Sequence, residues 1–112
     1  MTQGLDALWG GILDAVSLDI VHQTITFVVR VPHAEHESTH RLEVRGTREL
    51  RFFNAIPGPW IYAELTEIHA ELLPTRGLLI RMMIWSEGAS IVVEADAATL
   101  DDAELAVRGQ GC

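Results

Sequence analysis

The stretch Leu78-Leu79-Ile80-Arg81-Met82-Met83-Ile84-Trp85-Ser86-Glu87-Gly88-Ala89-Ser90-Ile91-Val92-Val93-Glu94-Ala95-Asp96 decides the fold. Leu78, Ile80, Met82 and Ile84 share one face of an extended chain; Leu79, Arg81, Met83 and Trp85 share the other. Ser86 to Ala89 supply a turn. Ile91, Val93 and Ala95 then point one way, and Val92, Glu94 and Asp96 the other. Pairing Ile84 with Ile91 makes the two apolar faces coincide and sets Arg81 opposite Glu94. A slip of one residue would turn every side chain to the wrong face. The stretch therefore reads as an antiparallel β-hairpin, and the chain as a mostly antiparallel β domain.

The preceding segment extends this hairpin. In Trp60 to Leu72, Ile61, Leu65, Ile68 and Leu72 fall at helical spacing. Thr66, Ile68, Ala70 and Leu72 also alternate with Glu67, His69 and Glu71, as in a strand. The reading preferred here is a short helical or irregular piece to about Leu65, then a strand over 66–73. If Thr75-Arg76-Gly77 form a three-residue loop, Gly77 takes its left-handed position. Leu72 then faces Ile80, Ala70 faces Met82, Ile68 faces Ile84, and Glu71 lies against Arg81.

Toward the N-terminus the pattern is again one of short strands. Gly4 to Trp9 reads as a helical turn with Leu5, Leu8 and Trp9 inward. Ile12 to Ile20 reads as a strand with Val16, Leu18 and Ile20 on one face, and Asp19 to Gln23 as the reversal. Thr24 to Val31 alternates most clearly: Ile25, Phe27, Val29 and Val31 against Thr24, Thr26, Val28 and Arg30. Pro32 ends it. Thr39 to Arg45 is the next strand, with His40, Leu42 and Val44 inward, and Glu49 to Phe53 the one after. Pro57-Gly58-Pro59 is the strongest breaker. At the other end, Thr99 reads as the N-cap of a helix over about Leu100 to Val107, with Asp101 and Asp102 in its first turn. Gly109 to Cys112 reads as a frayed tail. The expected architecture is α+β: one domain, residues 1–112, with a twisted antiparallel meander of six or seven strands, partly closed or sandwich-like, and short N- and C-terminal helices.

Composition narrows the function classes. The chain has 112 residues, 48% hydrophobic and 21% charged, which suits one folded core. The net charge is −8, and all eight basic residues are arginine. An acidic balance disfavours nucleic acid or an anionic membrane as partner, and suits a basic protein surface. Cys112 is the single cysteine, so no intramolecular disulfide forms, as in a reducing cytoplasm. The N-terminus has no basic segment before an apolar run, and Arg81 interrupts the longest apolar stretch. The expectation is a cytoplasmic protein.

Several groups invite chemistry. His33, His36 and His40, with Glu35 and Glu37 between them, are suitable zinc or nickel ligands by type. Their spacing matches no structural-zinc pattern and a polar hairpin loop explains it equally well, so neither metal nor cofactor is assigned. Asp19 and His22 form an acid/base pair across the first reversal, but a turn recruits Asp for its own backbone hydrogen bonds. Arg41, Arg45, Arg48 and Arg51 alternate with Glu43 and Glu49 without an aromatic ladder, which describes a solvated strand face. The chain lacks a phosphate loop, a serine elbow, CxxC and HExxH. The outer face of the final meander presents His69, Arg81, Met83 and Trp85, ringed by Glu67, Glu71, Glu94 and Asp96. Trp, Met and Arg are enriched at protein interfaces. The competing reading covers this face with the C-terminal helix or the Trp60 segment, making Trp85 ordinary core.

Asp19 after the first strand, the Thr24 to Val31 strand, the block Glu64-Leu65-Thr66-Glu67-Ile68 after a tryptophan, and the closing strands around Trp85 and Ile91 follow one another in a familiar order. In this the chain resembles small bacterial β-rich proteins of the YxiG-like and related immunity-type families encoded near polymorphic toxins. The likeness covers most of the chain. It implies a cytoplasmic protein that neutralises or accompanies a partner by binding, and it implies no catalytic residues. The expected function is therefore non-catalytic protein binding, by an interface of Trp85, Met83, Arg81, His69, Glu71 and Glu94, or by self-association as a homodimer. The alternative is a small ligand-binding domain or enzyme with a pocket among Asp19, His22, Trp60 and Tyr62.

Overall fold

The computed structural model describes residues 4–86 and 88–105. Alternation dominates this sequence, and the chain is accordingly built from strands: β1 Gly11–Asp19, β2 Thr24–Pro32, β3 Glu37–Arg45, β4 Glu49–Asn54, β5 Glu64–Leu72, β6 Leu78–Ile84, β7 Ala89–Ala95, β8 Ala97–Leu100 and β9 Ala103–Glu104. One 3-10 turn, Leu5–Leu8, precedes them and buries Leu5 and Leu8. The nine strands form one antiparallel sheet in the order β4-β7-β6-β5-β1-β2-β3-β8-β9. The class is thus mainly β, not α+β, with more strands than the expected six or seven. The expected C-terminal helix is replaced in its first part by β8 and β9. Ala98 and Leu100 are buried against β3, while Asp101 and Asp102, at φ 51° and 68°, form the intervening turn. The rest of that span and the tail to Cys112 lie outside the described residues.

Sheet register keeps the expected faces but shifts two positions. Ile84 faces Ala89, not Ile91, and Arg81 faces Val92, not Glu94. The cause is a turn of unchanged length placed one residue earlier: Trp85 and Ser86 take left-handed φ of 56° and 62°, so the reversal begins at Trp85 and Ala89 already faces Ile84. In the preceding hairpin Leu72 faces Leu78, Ala70 faces Ile80 and Ile68 faces Met82. Leu73 N–H donates to Gly77 O at 2.9 Å, so the three-residue loop is Pro74 to Arg76, one residue earlier than expected. A two-residue shift preserves parity, so inward residues remain inward. Leu65 and Ile68 share the buried face because a bulge lies between Leu65 and Glu67. That bulge, not a helix, explains their spacing of three. β1 repeats the device between Leu13 and Ala15. Asp14, at the bulge, is held by Arg30, whose Nε and Nη2 donate to its carboxylate at 3.0 and 3.2 Å.

The sheet curls around one core. β7 and β8 are separated by Asp96 alone, and β3 and β4 by Gly46 to Arg48. The segments β3–β4 and β7–β8 pair with one another on both sides of these short connections, β4 with β7 and β3 with β8. Ile25, Phe27, Val29, Leu42 and Val44 from one half join Leu65, Ile68, Ile80, Met82, Ile84 and Val93 from the other in a single buried cluster. β1 and β5 close the far side through Gly11–Leu65 and Ile12–Glu64.

Gly77 packs tightly at the corner where β7 meets β8. Its φ is +90°, and a methyl group there would run into the Ala95 carbonyl and lie 2.7 Å from Arg48 Nη2. Gly77→Ala is expected to destabilise the protein by about 1–3 kcal/mol in chemical denaturation. An unchanged midpoint would show that the corner yields.

Candidate functional site

The face expected to carry an interface is present, but its composition differs. His69 and Arg81 are cross-strand neighbours on β5 and β6, and both are exposed. Met83 and Glu94 are half-buried and Glu71 is exposed. Glu71 and Glu94 both lie opposite Leu79, so Arg81 does not sit between two carboxylates as expected. His69 Nε2 instead meets Glu67 Oε1 at 2.9 Å, and Trp9 approaches the His69 ring edge-on at 5.2 Å. No described helix covers this face.

Trp85 has left the face altogether. It sits in the β6–β7 turn, packed 6.3 Å from Trp60 and 4.9 Å from Tyr62 between ring centroids. Its indole N–H is buried without an acceptor among the described residues. Gly88 N–H donates to the Trp85 carbonyl and Ser86 N–H to Thr66 Oγ1, which fixes the strained turn. Trp85 is thus half-buried against the Trp60 segment, in the turn and not in the strand that carries Arg81 and Met83.

The alternative pocket is not assembled. Asp19 and His22 occupy the β1–β2 reversal: His22 Nδ1 lies 2.8 Å from Asp19 Oδ2, and its backbone N–H donates to Asp19 Oδ1. That backbone hydrogen bond, more than the imidazole, holds the Asp19 carboxyl below its usual value. Trp60 and Tyr62 lie just before β5, whose start pairs with the opposite end of β1. Seven residues of strand, about 23 Å, separate the two pairs.

The histidines are organised differently from a metal site. His33 and His36 stack, with centroids 4.5 Å apart. His40 Nδ1 lies 2.7 Å from Asp101 Oδ2 and its Nε2 lies 2.9 Å from Ser38 Oγ. Ser38 Oγ also lies 2.9 Å from His33 Nε2. A carboxylate only accepts, so with His40 neutral its Nδ1–H donates to Asp101, its Nε2 accepts from the Ser38 hydroxyl, and Ser38 Oγ accepts from His33 Nε2–H. Arg41 N–H fixes Asp101 through its second oxygen at 2.8 Å. Among the described residues no three metal-ligating groups converge. Sequence reading grouped the histidines but missed Ser38 and Asp101; the latter is 61 residues from His40.

Sequence reading also missed a row of exposed apolar side chains where β1 and β4 overhang the core. Val16, Leu18, Ile20 and Val21 follow along β1 and its turn, and Leu50, Phe52 and Phe53 along β4. Leu18, Ile20 and Leu50 line one groove of about 260 Å³. The only signal in the sequence was negative: Phe52-Phe53 and Ile20-Val21 break the polar–apolar alternation that a half-buried strand keeps. The described residues contain no helix long and apolar enough to cross a membrane. No protein-family model matches the chain, and neither does any curated protein.

Asp101 stands at a left-handed position and carries two acceptor roles. Asp101→Ala is expected to cost about 1–3 kcal/mol, and Asp101→Asn distinctly less, because Asn tolerates that backbone and still accepts from Arg41 N–H. Urea denaturation of the two variants makes the comparison; equal losses would mean that the hydrogen bonds contribute nothing.

Proposed function

We propose that this domain binds another protein chain through the apolar overhang of β1 and β4. The observation that carries the reading is exposure without compensation: Ile20 is 75% exposed, Leu18 54% and Leu50 41%, all three lining one groove, and Phe52, on the same face of β4 as Leu50, is 61% exposed. Isolated exposed apolar residues are ordinary; a contiguous set bordering a groove marks an interaction surface. β4 adds a strand edge whose backbone groups are free to pair. The charge of −8 favours a basic partner. In its finer form, suggested by the resemblance to immunity-type proteins, the partner is a toxin encoded in a neighbouring reading frame, neutralised in the cytoplasm by occupation of its surface.

Size-exclusion chromatography with light scattering, on this protein mixed with the neighbouring product, tests the reading. The expected result is an equimolar complex. Leu18→Asp and Phe52→Asp should each weaken it by about tenfold or more while leaving thermal unfolding cooperative, because both side chains lie outside the core. A complex indifferent to both substitutions would place binding elsewhere.

A second reading has one observation in its favour. Asp101, His40 and Ser38 stand in the hydrogen-bond order of an orienting carboxylate, a general base and a nucleophile. In this reading the domain is an acyl-transfer enzyme in which Ser38 Oγ is the attacking atom. A fluorophosphonate probe should then label Ser38, and His40→Ala should abolish labelling; an unlabelled wild type would remove the enzyme reading.

A further inference from the structure

The sheet has two ends, and they are not equivalent. β9 is a two-residue strand and ends the sheet with little to pair. β1 pairs with β5 only at Gly11 and Ile12; past the bulge at Asp14 its edge over Ala15–Asp19 is also open, but it carries no aromatic side chain. β4 is different: six residues, all exposed, carrying adjacent phenylalanines and paired only with β7. Natural sheets normally blunt such an edge with proline, a bulge or clustered charge. Among the described residues, β4 is the open edge that carries adjacent aromatic side chains.

Its backbone groups have a defined direction. Ala55 N–H donates to Gly88 O. By the alternation of an antiparallel ladder, Phe53, Arg51 and Glu49 then exchange hydrogen bonds with β7, while the N–H and C=O groups of Leu50, Phe52 and Asn54 point to the free edge. A second copy related by a two-fold axis normal to the sheet keeps outer faces together, so each residue must meet one of the same parity. Two registers use nearly the whole strand. One, centred on Arg51, sets two guanidinium groups directly opposite, which is unfavourable. The other, centred on Phe52, pairs Phe52 with itself across the axis and Leu50 with Asn54 of the second copy. It makes about six backbone hydrogen bonds from the outward-pointing groups. It also sets Arg51 opposite Phe53 of the second copy, twice by symmetry, in reach of a cation–π contact.

We infer that β4 pairs antiparallel with β4 of a second copy of this chain, in the register centred on Phe52, continuing the sheet across a two-fold axis. The inference rests on the reading that the β4 overhang binds protein, and it names the occupant of that edge. The interface is small, so the dimer is expected to be weak and concentration-dependent.

The test uses the full chain in a Cys112→Ser background. Light scattering against concentration should show a monomer–dimer equilibrium, and Phe52→Asp should weaken it at least tenfold. Phe52→Cys should oxidise to a linked dimer, since a residue on the axis faces itself within disulfide reach. Phe53→Cys and Arg51→Cys should each cross-link poorly alone and efficiently when mixed, because each faces the other. A monomer at the highest soluble concentration overturns the inference, and so does a dimer in which Arg51→Cys links to itself better than Phe52→Cys. If the protein stays monomeric yet binds the neighbouring product through Phe52, the inference fails and the binding reading stands. If Phe52→Asp leaves self-association unchanged the inference fails, and if Leu18→Asp and Phe52→Asp both leave the complex with the neighbouring product unchanged the binding reading fails as well. The circular dichroism melt of Phe52→Asp distinguishes lost pairing from lost folding.

Discussion

The bend at Asp96 turns a ladder of strands into an enclosed core. Two long chain segments, β3–β4 and β7–β8, pair with one another on both sides of that point and change direction together. The change leaves backbone groups without ladder partners, and local contacts take them up. Asp96 N–H is shared between the carbonyls of Arg45 and Gly46 at 3.0 and 3.2 Å, and Arg48 N–H donates to Glu94 O. The Asp96 carboxylate holds Arg48 Nη1 and Arg76 Nη2, while Arg48 Nη2 reaches the Arg76 carbonyl. Gly46 lies so close beneath the Asp96 side chain that any Cβ would collide with it. These ion pairs are partly exposed and individually weak. Their effect is geometric: they tie together the bend at which β3–β4 and β7–β8 change direction.

That dependence explains what the sequence disclosed. Alternation is local, so the strands β2, β3, β6 and β7 and their buried faces were legible from residue order alone. Register was legible only to within two positions, because parity is all that the apolar pattern specifies. The missing information lay in turn conformation. Trp85 at positive φ is contrary to ordinary preference, since a bulky side chain gains nothing there. Packing against Trp60 and Tyr62 supplies the reason, and that packing is non-local. The C-terminal segment failed as a helix for a related reason. Ala98 and Leu100 complete the cover of β3, so the tertiary demand for a strand overrode a weak local helix signal.

The candidate sites divide along the same line. His33, His36 and His40 stood out because they are close in sequence, yet the network that organises His40 needs Asp101 from the distant β8–β9 turn. Asp101 in turn holds its backbone conformation because Arg41 N–H and His40 bind it. Residues within one hairpin can be grouped by spacing; residues that meet only because β8 lies beside β3 cannot. The overhang of β1 and β4 was hidden for the opposite reason. Leu18, Leu50 and Phe52 look like core residues in any alternating pattern, and only the curl of the sheet leaves them exposed among the described residues.

An exposed edge with two phenylalanines ought to make this protein prone to stacking, and two constraints oppose that. The net charge of −8 repels copies at long range, weakly enough that salt screens it within about 8–10 Å. Topology is the stronger constraint. A sheet propagates when both ends offer complementary edges, but β9 is too short to accept β4 in the way that β4 accepts itself. Pairing of β4 with β4 uses the same edge on both copies and leaves none to continue, so it closes as a two-fold dimer where a heterologous contact would grow into a fibre. The open β4 edge is therefore compatible with solubility, provided that its occupant is one chain, either a second copy or a partner that takes the same place.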